Sequence, residues 1–180
     1  MKQITEKIIE VDKNQLYNIT FPLGRFGLIV KYHGIRYKFL LNLLENSDKL
    51  VVLGSGALSK NSSWDRSRPR FSRWSWDFGE STINFDDPTL YLDDEILIAW
   101  SIGNSEFWYL KDISTIIKII ADKLKIKDNK LIFFGSSAGG FTSLMLSTLI
   151  KDSISIAENP QFDVTTWGKE HWNVVKKALF

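Results

Sequence analysis

The sequence contains no cysteine. Disulfide staples, thiol nucleophiles and cysteine-ligated metal centres are therefore excluded, and a reducing, cytoplasmic location is the expectation. Histidine is nearly as scarce: His33 and His171 are the whole imidazole supply, so acid–base chemistry has few candidates within the chain. Long apolar runs are also missing. Stretches such as residues 49–53 and 96–100 are of strand length, far short of the ~20 residues a membrane span needs. The first residues, Met1 to Lys7, carry charge with no apolar run behind them, so no secretory signal is expected. Excess charge of one sign is absent too. A net charge of +2 is too small to imply nucleic acid or a membrane surface as partner.

What is present is an ordinary globular composition, 44% hydrophobic over 180 residues, which suits a single domain spanning 1–180 with a sizeable core. Residues 4–12, 15–21 and 26–32 read as three short strands with turns between them, an antiparallel opening. Phe39, Leu40, Leu43 and Leu44 recur at helical spacing and predict a helix from about Tyr37. Residues 50–53 form a buried strand running into Gly54-Ser55-Gly56-Ala57, and residues 58–90 read as polar, aromatic and irregular. Residues 96–100 are the next expected strand. A helix follows, starting near Asp112 or Ser114, with Ile113, Ile116, Ile117, Ile120 and Leu124 on one face. Then come a strand at 131–134, a helix at 138–150, a strand at 154–157 and a terminal helix from about Trp167. Strands alternating with helices from residue 50 onward imply an α/β fold, a mostly parallel sheet with helices on both faces. The loops that follow its strands would then gather along one edge.

Gly135-Ser136-Ser137-Ala138-Gly139-Gly140 lies between a buried strand and a helix. That is the context in which Gly-x-Ser-x-Gly has a mechanical meaning. A sharp strand-to-helix turn strains the central residue, so its neighbours must be small, and its hydroxyl projects at the sheet edge above a helix N-terminus. A phosphate-binding loop would need a lysine after the second glycine of Gly-x-x-x-x-Gly-Lys, and none is there. Ser137 is thus the candidate nucleophile.

On these residues the chain resembles the α/β-hydrolase superfamily over about residues 25–165. The resemblance implies an α/β-hydrolase-like fold and an oxyanion hole formed by the Ala138 amide and by the loop at Gly56 and Ala57. The same Gly54–Gly56 segment would equally serve as a plain tight turn. Three patches resemble bacterial hydrolase-like proteins of surface-polysaccharide biosynthesis and export: residues 69–76, Asp87-Pro88-Thr89-Leu90 and Asn159-Pro160-Gln161. That similarity implies a sugar or polysaccharide ester as substrate and polysaccharide-biosynthesis proteins as partners. No cofactor is expected.

A serine hydroxyl needs a histidine to take its proton and a carboxylate to orient that histidine. In the resembled family the order is serine, acid, histidine. Only 43 residues follow Ser137, about one β/α unit. Glu158 and Asp163 are the acids in reach, but His171 comes early for that order and His33 earlier still. The last strands, the acid and the histidine are expected to lie beyond residue 180. In residues 64–76, Arg70, Arg73 and Trp74 belong to an arginine–tryptophan loop. It can contact a glycan, by stacking and by charge-assisted hydrogen bonds, or fold on itself against nearby acids. Asp93-Asp94-Glu95 cannot converge on one ion, so no metal site is expected. Two functions stay open: a serine hydrolase or acyltransferase acting on an ester, and a non-catalytic accessory or glycan-binding protein on the same scaffold.

Overall fold

The computed structural model describes residues 7–59 and 78–179. Among these residues seven strands form one mixed sheet: β1 (Ile8–Asp12), β2 (Gly24–Tyr32), β3 (Ile35–Leu43), β4 (Leu50–Leu53), β5 (Ser81–Phe85), β6 (Leu131–Ser136) and β7 (Ile154–Glu158). Their order across the sheet is β1-β2-β3-β5-β4-β6-β7. The β5–β4–β6–β7 pairs are parallel, whereas β3 runs antiparallel to both β2 and β5. Among the described residues three α-helices accompany the sheet: α1 (Tyr109–Lys123), α2 (Ala138–Leu149) and α3 (Lys169–Leu179).

Strands β4, β6 and β7 and helices α1 and α2 match the sequence reading closely, because β/α alternation leaves a strong pattern. Helix α1 buries Ile113, Ile116, Ile117 and Ile120 in the main core with Leu50, Val52, Leu131 and Phe133. Each such side chain taken out of water contributes about 1.5–3 kcal/mol. Helix α2 adds Leu146 to the same core and contacts α1, so these two helices share one face of the sheet. A second cluster, at the end of the sheet where the parallel strands finish, joins Trp100, Ile96, Ile98 and Ala138 to Val175 and Leu179 of α3.

The structure departs from the reading in four places. Residues 15–21 are not a strand: Lys13–Tyr17 is a 3-10 turn with a capping box between Asp12 and Gln15, and Leu16 is fully buried. The opening is not wholly antiparallel, since β1 pairs parallel to β2. The helix expected from Tyr37 is strand β3. Residues 37–41 are buried on both sides of the sheet, so the two-residue alternation that marks a half-exposed strand is lost. The turn at His33 and Gly34, both at positive φ, folds β3 back on β2. Finally, residues 96–100 are buried but form no strand, and the strand that does sit beside β4 is β5, Ser-Thr-Ile-Asn-Phe. Its three polar residues hid it.

Three glycines set the spacing between α2 and the strand ends. A Cβ on Gly135 would lie 2.3 Å from the Gly139 carbonyl oxygen, and one on Gly139 would lie 2.7 Å from the Gly54 oxygen. Gly54 in turn faces Gly139 and the Thr142 hydroxyl. Backbone meets backbone here, so no side-chain rotation relieves an added methyl. Replacement Gly135→Ala is expected to lower stability by about 1–3 kcal/mol or more, read from urea unfolding, because helix and strand must separate.

Candidate functional site

The parallel strands β5, β4, β6 and β7 all end at one edge, and the turn after β6 carries Ser137 there. Ser137 adopts φ 56° and ψ −119°, a backbone state that L-residues rarely hold. It is fixed from both sides: its N–H donates to the Glu158 carbonyl at 3.0 Å, and its carbonyl accepts from Phe141 N–H at 3.1 Å. The side chain remains partly exposed at the head of α2. Ala138 is the first residue of α2, so its N–H has no partner within the helix.

The structure brings the Gly54–Gly56 loop up to this turn. Gly54 N–H bonds the Phe134 carbonyl, the Ser55 hydroxyl bonds the Phe85 carbonyl, and Leu58 N–H bonds the Leu97 carbonyl. A cavity of about 100 Å³ is lined by Leu53, Gly54, Gly56, Phe134, Gly135, Ser136 and Glu158. Gly56 therefore shares space with the serine turn, while Ala57 is exposed and does not line it. Arg70, Arg73 and Trp74, and the rest of the arginine–tryptophan loop from 64 to 76, lie outside the described residues.

Among the described residues, no histidine side chain is hydrogen-bonded to Ser137. His171 is near the start of α3, with its ring stacked on Trp167 at 6.3 Å. His33 does have an acid. Its Nδ1 lies 2.9 Å from Asp112 Oδ2, and its ring is sandwiched between Tyr32 and Phe107. Buried Asp112 also accepts the Tyr37 hydroxyl at 2.6 Å. Burial and then the Asp112 carboxylate push the Tyr37 phenol well above its ordinary range. The His33 turn is at the same sheet edge as Ser137, but beyond β4 and β5. Of the candidate acids, Glu158 ends β7 with an exposed side chain, next to the cavity. Asp163 accepts the Thr165 hydroxyl and N–H, which hold its carboxyl below the usual range and make it a turn residue.

The partner of Ser137 is one that sequence reasoning missed. Gln161, 4% exposed, donates Nε2–H to Ser137 Oγ at 2.9 Å, and its Oε1 accepts the indole N–H of Trp100. Trp100 and Ser101 both sit at positive φ. They are held by Asp87, whose carboxylate accepts N–H from Ser101 and Thr89, while Thr89 Oγ1 accepts from Gly103 N–H. Asp86 beside it accepts the Tyr91 hydroxyl, and the Tyr91 ring lies under Lys38 Nζ, 3.4 Å from its centroid. Burial drives the Lys38 ammonium down to about 8, partly opposed by the Asp86 charge. The described residues contain no group of three or more His, Cys, Asp or Glu side chains that could hold a metal ion, and no helix among them is long and apolar enough to cross a membrane.

The strand order, the strained serine between β6 and α2 and the glycine contacts together define an α/β-hydrolase-like fold. Searches of solved structures agree. The chain is similar to the capsule O-acetyltransferase of Neisseria meningitidis serogroup A, at TM-score 0.63 and 19% identity over 83% of this chain and 60% of that one. It is also similar to a carboxylesterase of Lactobacillus plantarum, at TM-score 0.51 and 14% identity over 87% and 63%. A third neighbour is the Glycosylation Associate Protein complex of Streptococcus agalactiae, at TM-score 0.57 and 18% identity over 85% and 27%. This chain thus spans about 60% of the length of the capsule O-acetyltransferase. No family model and no curated protein matches it.

Two expectations follow from the site. Backbone strain at a non-glycine residue of this kind costs about 1–3 kcal/mol. Ser137→Gly should therefore be more stable than Ser137→Ala by about 1 kcal/mol or more in thermal or urea unfolding, since both lose the hydroxyl and only glycine relieves φ. For Lys38, the folded-state value lies below the ordinary 10.5. Between about pH 8 and 10.5 the unfolded chain holds a proton that the folded chain lacks, so this group makes stability rise with pH across that window. Lys38→Met should flatten that rise in urea titrations and raise stability at neutral pH.

Proposed function

We propose that this chain is the nucleophile-bearing part of a serine acyltransferase or hydrolase that acts on an ester of a sugar or bacterial surface polysaccharide. The observation that carries the reading is Ser137 itself, strained and partly exposed between β6 and α2. In this mechanism a base takes the Ser137 hydroxyl proton as Oγ attacks the acyl carbonyl. The carbonyl electron pair moves onto oxygen, where the Ala138 amide and the Gly56 loop face the developing charge. One such donor contributes ~3 kcal/mol to the transition state. Collapse of the intermediate expels the leaving group with the proton from the base and leaves an acyl-Ser137, which water or a sugar hydroxyl then resolves. The base and its orienting acid are proposed to come from outside the described residues. The capsule O-acetyltransferase has been solved with CoA, so a CoA thioester is the acyl donor to try first.

A second reading is an accessory or glycan-binding protein on this scaffold. It is favoured by the occupation of Ser137 Oγ by an amide, with both histidines engaged elsewhere. It also accords with the likeness to a glycosylation-associated complex. A fluorophosphonate probe, applied to the protein together with the segment or chain that supplies the base, separates the two. Covalent labelling of the wild type that Ser137→Ala abolishes is the expected result, and equal labelling of the two proteins would remove Ser137 as nucleophile.

A further inference from the structure

Buried polar side chains must be hydrogen-bonded, and the way they are bonded fixes what they can do. Gln161 has one donor group and one acceptor, and its surroundings leave no ambiguity about which is which. The Trp100 indole nitrogen can only donate, so the Gln161 atom facing it is the carbonyl oxygen. The amide nitrogen must then face Ser137 Oγ and donate to it. The Gln161 backbone follows the same turn, its N–H lying 3.4 Å from the Ser137 carbonyl. Trp100 is itself almost wholly buried, with its backbone tied through Ser101 to the Asp87 carboxylate. A bulky, donor-only ring on a braced loop sets the orientation of one amide, and that amide touches one oxygen.

From this geometry we infer that Gln161 is a catalytic residue that donates a hydrogen bond to Ser137 Oγ, with Trp100 as the positioning residue that forbids the flipped amide. The inference rests on the nucleophile reading above. A donor on Oγ occupies one lone pair, so the hydroxyl proton is directed away from Gln161, toward the side from which a base must approach. It also favours any state in which Oγ carries negative charge. During attack, Oγ gives its proton to the base and forms its bond to the acyl carbon. During resolution of the acyl-enzyme, an acceptor hydroxyl loses its proton to the base and bonds the same carbon. The C–Oγ bond then breaks with its electron pair moving to Oγ, and the base returns the proton there. In both passages Gln161 Nε2–H faces the charge on Oγ, which is a different atom from the carbonyl oxygen held by Ala138.

The variant Gln161→Glu isolates this role, because a carboxylate of the same shape still accepts from Trp100 but cannot donate to Oγ. The rate of fluorophosphonate labelling at Ser137 should fall about 10- to 100-fold, the range for a lost hydrogen bond to a charged group. The deficit should shrink as pH falls and the carboxyl regains a proton to donate, a dependence that a mere packing defect would not produce. Trp100→Phe, which keeps an aromatic ring and loses the N–H, should slow labelling by a smaller factor. Gln161→Met covers the case in which the glutamate variant does not fold, and it should be slow at every pH. Wild-type labelling that Ser137→Ala abolishes, with Gln161→Glu or Gln161→Met reacting at the wild-type rate, overturns the inference and leaves the nucleophile intact. Absence of labelling in the wild type when the segment or chain that supplies the base is present removes the nucleophile reading and the role of Gln161 with it.

Discussion

Backbone packed directly on backbone, at Gly54, Gly135 and Gly139, is the constraint from which the rest of this site descends. Without side chains at these positions, the first turn of α2 can sit against the ends of β4 and β6. That contact leaves the chain only a few residues in which to turn from strand to helix, and the turn is made by forcing Ser137 into positive φ. The strain is sustained by hydrogen bonds on both flanks, to the Glu158 carbonyl and from Phe141. A flexible loop would relax it. Here the sheet above and the helix below hold it in place, and the hydroxyl is presented at the edge rather than folded back.

A second layer of order comes from polar groups that the core cannot leave unpaired. Asp87 gathers the amides of Ser101 and Thr89, and the resulting fold of residues 100–103 aims Trp100 at Gln161. Gln161 in turn reaches Ser137. A carboxylate at the end of β5 is thereby connected, through a tryptophan and an amide, to a serine at the end of β6. The His33–Asp112–Tyr37 cluster belongs to the other half of the molecule. It ties the β2–β3 turn to the first turn of α1 and has no part in the serine's surroundings.

How much of this the sequence displays depends on how local each feature is. Strand β6, the glycine turn and α2 were all legible, since a buried strand, small residues and a helix follow one another without a gap. The isoleucine stripe of α1 was legible for the same reason. Strand β3 was not, because burial on both faces erases the period of two and leaves leucines that happen to fall at helical spacing. Strand β5 was missed because Ser81, Thr82 and Asn84 are polar yet fully enclosed. Residues 96–100 were misread in the opposite sense: an apolar run is buried in either conformation, and its environment, around α3 and Ala138, is a cluster rather than a sheet.

The sequence alone therefore determined that a serine would stand at a strained strand-to-helix turn, since glycine spacing and hydrophobic runs act over a few residues and need no distant partner. Only the tertiary structure decided what that serine touches. Gln161 lies 24 residues from Ser137 and 61 from Trp100. Those separations close because β5, β4, β6 and β7 lie side by side and run parallel, which brings the loops after β5, β6 and β7 to one edge. A hydrogen bond of that reach depends on sheet order, and sheet order is a property of the whole core rather than of any segment in it.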